Sequence, residues 1–307
     1  MFKSLFSITF RSLSRQGVFS IINILGLSIG LAVVLLISLM TFSELSFDRS
    51  FKESQNIYRI NSLTKDGETW STTANAVGPA MKAEVPEVIT AVRTVHRYYD
   101  MVNNENILQI HVVWADEDFF RLFETPFFLG NPEALKQPDK IAISETEAKR
   151  MFGNKDPIGQ MLEHTIWSNT PPLEVAAVFK DYPENSSLRD YKIIAPFMFC
   201  QERALHSQIT WIVDEFETFC LLVANANPES ANAKMRQIVA NATADQPTAF
   251  STQLQRLTDI HLHSKNYLER RSIINTGDIE RVRLMLLLSA VILLVACINY
   301  MNLSTAR

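Results

Sequence analysis

IINILGLSIGLAVVLLISLMTF, Ile21 to Phe42, is the stretch on which the reading of the chain turns. No side chain from Gln16 to Ser43 carries a charge. About 20 apolar residues in a row cross a bilayer as a helix, and a backbone in hydrocarbon must satisfy its own hydrogen bonds, which a helix does. Lys3, Arg11 and Arg15 precede the run, and the first acid is Glu44, just beyond it. Basic residues beside a span stay in the cytoplasm. The N-terminus is therefore expected inside and the chain from Glu44 onward outside. The competing reading is a secreted protein with a cleaved signal peptide. Its apolar core would be about 7–15 residues and end at a small-residue site. This run is longer, and Met40, Thr41, Phe42 and Ser43 offer no such site, which favours an uncleaved anchor.

A second uncharged run, Leu284 to Ser304, is also long enough to span. Arg281 and Arg283 stand at its outer end, against the basic-inside trend, but a long loop is translocated largely regardless of charge. Ahead of the first run, Phe2, Leu5, Phe6, Phe10 and Leu13 follow helical spacing opposite Lys3, Arg11 and Arg15, as in an interfacial amphipathic helix. The same residues also serve as the plain basic flank of an anchor. Gly26 and Gly30 lie on one face of the first span and would admit a close neighbour. Asn299 and Asn302 near the end of the second span would bond to neighbouring helices or sit among headgroups.

The 307 residues carry a net charge of −4, and this mildly acidic balance argues against a nucleic-acid partner. Between the spans the pattern is mixed. Strands are predicted at Asn56–Leu63, Val88–Tyr98, Ile107–Trp114, Ile141–Ile143, Gln160–Trp167, Leu173–Lys180, Tyr191–Pro196, Glu215–Ala224 and Phe250–Leu257. Helices are predicted at Pro79–Glu84, Asp116–Phe123, after Ser144 to Phe152, and within Asn227–Thr243. Ser144 and Glu147 have the spacing of a capping box, and Gly153 ends that helix. Gly130–Asp139 is rich in turn residues. Cys200 and Cys220 would face an oxidising compartment and either pair or remain two buried thiols.

The chemistry of common sites is missing. No glycine is followed by lysine, so the phosphate-binding loop G-x-x-x-x-G-K-[ST] is absent. Neither G-x-S-x-G nor H-E-x-x-H occurs. His261 and His263, if on a strand, would face the same way, but no third metal ligand stands at a familiar spacing. His96 and His111 fall in predicted strands and read as structural or exposed. Asp116, Glu117 and Asp118 read as a helix start. No catalytic residue, bound cofactor or metal is expected of this chain.

Several stretches nevertheless resemble a known family in order along the chain: Phe51–Arg59 (FKESQNIYR), Ala142–Gln160 (AISETEAKRMFGNKDPIGQ), Val175–Leu188 (VAAVFKDYPENSSL), Leu257–Ser264 (LTDIHLHS) and Ala296–Arg307 (ACINYMNLSTAR). With the basic start and the Gly26/Gly30 span, they resemble the N-terminal part of an FtsX-like ABC transporter permease with a MacB-like periplasmic core domain, of the type common in Bacteroidetes. The resemblance implies a membrane protein with two transmembrane α-helices flanking an α+β periplasmic domain. It implies a cytoplasmic amphipathic helix at 1–18, spans at 19–42 and 284–304, and a core domain at 43–283. Within the core domain a Porter-like part (51–137 plus 215–265) would carry a Sabre-like insert (138–214). It also implies a separate cytoplasmic ABC ATPase, holding ATP and Mg, whose movement the permease helices relay outward for export or envelope work. A permease dimer or pseudo-dimer in the bacterial inner membrane, in contact with its lipids, belongs to the same picture. Family members have four or eight spans and a coupling helix after the second. Residues 305–307 would begin that segment, so the chain reads as an N-terminal fragment. Layout alone fits a membrane-anchored extracytoplasmic sensor equally well. An anchored envelope enzyme would need a constellation that the sequence does not supply.

Overall fold

The computed structural model describes residues 17–103, 106–164, 172–199, 209–211, 214–244, 250–268 and 274–305. The amphipathic pattern of residues 1–15 and Cys200 lie outside the described residues. The chain divides into two compact units, Met1–Ser46 with Asp278–Arg307, and Phe47–Gly277.

Among the described residues, the first unit holds two helices, α1 (Gly17–Leu45) and the last helix of the chain (Ile279–Thr305). Both are long and apolar enough to cross a membrane. They pack against each other. On the last helix, Val282, Met285, Ser289, Ile292, Ala296 and Asn299 are the less exposed positions, spaced three and four apart. That repeat keeps one narrow seam against a partner helix. On α1 the corresponding positions include Gly30, Val33, Val34, Ile37 and Thr41. The remaining faces are large and apolar, with Leu36, Leu39, Leu287 and Leu294 each more than half exposed.

The second unit is α+β. In chain order its strands and helices are β1 (Ile57–Leu63), β2 (Thr69–Trp70), β3 (Thr73–Ala74), α2 (Val77–Glu84), β4 (Val88–Asn103), β5 (Asn106–Ala115), α3 (Phe119–Leu122), β6 (Phe127–Gly130), β7 (Lys140–Ser144), α4 (Glu145–Phe152), β8 (Met161–His164), β9 (Leu173–Phe179), β10 (Ile193–Pro196), β11 (Asp214–Leu222), α5 (Pro228–Ala242), β12 (Ser251–Arg256) and α6 (Leu257–His263). The closing helix of the chain is α7 (Ile279–Thr305).

One sheet runs β12-β1-β11-β4-β5-β10-β7-β9-β6. Strand β8 pairs with both β4 and β9, so β4-β5-β10-β7-β9-β8 closes on itself as a ring. The 16 residues of β4 serve both halves: its first part pairs with β11, and its last part with β8. Strands Val88–Tyr98 and Ile107–Trp114 were thus underestimated in length, because polar residues at their ends are held by cross-strand pairing rather than by burial.

Residues alternate between faces along β1 and β11. Ile57 and Phe219 join one core with Val92, Phe119, Phe123 and Tyr191. Tyr58, Ile60, Cys220 and Leu222 join another beneath α2 and α5, where Ala231, Met235 and Val239 follow helical spacing. A third core with Trp114, Ile141, Val175 and Phe199 is shared by β4, β5 and strands β7 to β10. The expected boundary at 137/138 is therefore crossed by side-chain packing: Val95 and Trp114 share a core with Ile141, Val175 and Ile193.

The capping box of α4 is half formed. Ser144 Oγ accepts from the Glu147 amide at 3.3 Å, as the spacing predicts. The Ser144 amide instead donates to Lys192 O, and the Glu147 carboxylate is taken by Arg150. The strand preceding the helix uses the donor that a capping glutamate would otherwise satisfy. Strand β6 was not foreseen within its turn-rich surroundings. It ends at Gly130, at φ +80°, where an added Cβ would lie 2.1 Å from Ala176 O. Gly130→Ala combines backbone strain with a backbone clash. It should lower unfolding free energy by about 2 kcal/mol or more in urea denaturation; an unchanged midpoint would contradict this close approach.

Candidate functional site

The second unit starts at Phe47 and ends at Gly277, and both ends converge on α6. The Phe47 ring stacks on the His261 imidazole, with centroids 3.4 Å apart and planes 3° from parallel. His261 Nδ1 lies 2.9 Å from Asn275 O. The Gly277 amide donates to His261 O at 2.7 Å. One buried residue therefore touches the leading and the trailing connection of the unit.

Asp48 adds a second tie. It is fully buried and sits at φ +57°, a conformation that Asp tolerates better than most residues. Its Oδ1 accepts from the Ser187 amide at 2.7 Å and from Ser186 Oγ at 3.2 Å. Its Oδ2 accepts from Ser187 Oγ at 2.5 Å. The Asp48 amide donates to Asn185 O at 2.9 Å. Burial pushes the Asp48 carboxyl up to about 6, against the opposing pull of the Ser187 and Ser186 hydrogen bonds and of nearby His261.

A buried polar group lies deeper, on the sheet face shared with Ile57 and Phe219. Glu217 of β11 accepts from Tyr191 Oη at 3.1 Å and lies 2.7 Å from His96 Nε2. Arg59 of β1 stands 3.7 Å from the other Glu217 oxygen. Arg59 also donates to Gln255 and to Ser264, which ties β1 to β12 and to the end of α6. These charges meet only in the observed register, because a one-residue slip moves a side chain to the other face. Burial pushes the Tyr191 hydroxyl well up, and the Glu217 charge adds to this. Burial, then the neighbouring His96, pulls His111 down to about 4. The group holds a geometry and presents no nucleophile in a cleft.

The structure places the sequence-predicted residues as follows. Gly26 faces Asn299: a Cβ there would lie 3.4 Å from Asn299 Nδ2. Gly30 faces Ala296 and Ile292, at 3.4 and 3.9 Å from the same construction. The Asn302 side chain lies outside the described residues. His261 and His263, which would face the same way on a strand, are both in helix α6. Two residues apart on a helix, they diverge. His261 is buried and His263 is exposed, beside an open cleft of about 400 Å³ that also contains Arg256 and Asp259. Among the described residues, no three His, Cys, Asp or Glu side chains are placed to hold a metal ion. Cys220 is a buried thiol that burial pushes up to about 12. Sequence reasoning missed Asp48, Ser187 and the Arg59–Glu217–His96 group. Its one available signal was charge at an inward position of an alternating strand, as at Arg59 between Ile57 and Asn61.

In sequence order, two apolar helices flank a domain of the α+β class. The family described as MacB-like periplasmic core domain matches residues 20–238, more than half of the chain, and the chain belongs to that family. Several solved structures are similar to the chain. A domain of a proposed permease from Porphyromonas gingivalis is similar with a TM-score of 0.58 and 22% identity, over 67% of this chain and 92% of that one. The periplasmic region of MacB from Actinobacillus actinomycetemcomitans is similar with a TM-score of 0.50 and 11% identity, over 69% and 92%. The extracellular domain of the noncanonic ABC-type transporter YknZ from Gram-positive bacteria gives 0.49 and 14%, over 64% and 100%. No curated protein sequence matches the chain.

The Asp48 environment sets a pH dependence. A carboxyl raised from 3.8 to about 6 on folding binds more protons in the native than in the unfolded state between those values. Its contribution to stability is then present below about pH 4 and lost as pH rises through about 6. Asp48→Asn keeps an acceptor for the Ser187 amide and cannot titrate. The stability of wild type minus that of Asp48→Asn should fall by about 2 kcal/mol from pH 4 to pH 7 in urea titrations. A flat difference would remove the assignment.

Proposed function

We propose that the chain is the membrane-embedded permease part of an ABC transporter of the mechanotransmission type. In this reading α1 and α7 cross the bacterial inner membrane, the unit from Phe47 to Gly277 stands in the periplasm, and a separate cytoplasmic ATPase supplies ATP and Mg. The chain itself would bind no cofactor. Closure of the ATPase would move the helices, and the helices would move the periplasmic domain for export or envelope work. The observation that carries the reading is the family match, which runs from inside the first apolar helix through most of the α+β unit. The seam of Gly26, Gly30, Ala296 and Asn299 supports it, since small residues let helices approach where lipid gives no hydrophobic drive. A Porter-like part at 51–137 plus 215–265 with an insert at 138–214 is the proposed division, and a dimer or pseudo-dimer the proposed assembly.

The direct test is a cysteine in the exposed Lys65–Gly67 turn. Asp66→Cys should react with a membrane-impermeant thiol reagent on intact spheroplasts; reaction only after permeabilisation would overturn the topology. In reconstitution, the chain should hydrolyse no ATP alone, and a protein extended through the coupling segment should copurify with an ABC ATPase subunit; a soluble signalling partner instead would favour an anchored sensor. Gly30→Leu should separate the helix pair and reduce crosslinking between cysteines placed along the two seams; undiminished crosslinking would show that the glycine is no interface.

A further inference from the structure

The leading and trailing connections of the unit both touch one short helix, and a third tie lies beside the leading one. Phe47, two residues after α1, lies flat on the His261 ring. Asn275 and Gly277, just ahead of α7, bond to the ring and the carbonyl of the same residue. Asp48 is held by the Asn185–Leu188 turn, and Leu188 shares a core with Ile260 of α6 and with Ile274. His261 is buried; its ring touches Phe47 and Asn275, and its carbonyl accepts from Gly277. Removing either partner would expose polar groups that the other contacts now satisfy. The helix is in turn fixed to the sheet. Ser264 Oγ, at its end, accepts from Arg59 and Gln255 at 3.2 and 3.0 Å and donates to Ile260 O at 2.6 Å.

We propose that Phe47, Asp48, His261 and Gly277 form a clasp that makes the two connections of the α+β unit one mechanical element, so that they loosen together or not at all. The clasp takes no ligand; its action is positional. Its purpose rests on the permease reading, in which movement arrives through α1 and α7. With the clasp closed, a displacement of either helix reaches the sheet through α6 and the Arg59 group. With the clasp open, each connection would yield by itself and the domain would stay behind.

Amide hydrogen exchange on the full chain in nanodiscs tests this without any ATPase, so a failed clasp is distinguishable from a failed transporter reading. The reporters are the amides of Asp48, Ser187 and Gly277, each hydrogen-bonded within the clasp. Val113 and Ile194, from the sheet, report global opening. Asp48→Ala should speed exchange at Gly277 by about tenfold or more, together with Asp48 and Ser187 and with the sheet unchanged. His261→Ala should do the same from the other side. Asp48→Asn, which keeps the hydrogen-bonding shape, should leave all three within about twofold. If Asp48→Ala speeds only its own turn while Gly277 stays protected, the connections are independent and the proposal is overturned. If the alanine variants lose protection in the sheet as well, Phe47→Leu replaces them under the same criterion: joint loosening supports the clasp, and loosening confined to residues 47–48 overturns it.

Discussion

A domain inserted between two antiparallel helices must begin and end in the same place, and the rest of the architecture answers to that constraint. Closing a long loop costs entropy that grows slowly with its length. The sheet meets this cost by pairing its first strand with its last: Tyr58, near the start of β1, sits opposite Arg256, the end of β12. Helix α6 follows at once and carries His261 to the two connections. The pairing of β1 with β12 is therefore the step that makes a hairpin-like passage of the chain compatible with a folded domain.

Charge is spent on keeping that step in register. Arg59, Glu217 and His96 lie on β1, β11 and β4, three strands side by side, and all three are buried. A buried ion pair is weak evidence of stability, because desolvation offsets much of the attraction. Its use here is to penalise alternatives, since a slipped strand would leave Arg59 or Glu217 unpaired in the core.

Much of the fold was legible in the chain. Helix α5 shows its inward face at Ala231, Met235 and Val239, and Ser144 announces α4 through its side-chain cap. The apolar helices are plain from the absence of charge. What stayed hidden depends on contacts distant in sequence. The short run IHLH alternates like a strand, yet it is helical, because stacking on Phe47 and bonding to Asn275 override a weak local preference. Strand β6 has only four residues and three of them are exposed, so it carries no alternation to detect. Asp48 looks like ordinary polar flank next to an apolar run. Only the folded chain brings Ser186 and Ser187 to it.

The membership of the chain in the MacB-like periplasmic core domain family fixes its class, and the convergence of its two ends is the physical claim on which a relay would depend. Spin labels at Arg49 and Thr276 in the full chain, read by pulsed dipolar spectroscopy in nanodiscs, measure that convergence directly. A single short, narrow distance distribution is the result this account predicts. A broad or long distribution would mean that the two connections do not meet, and would contradict it.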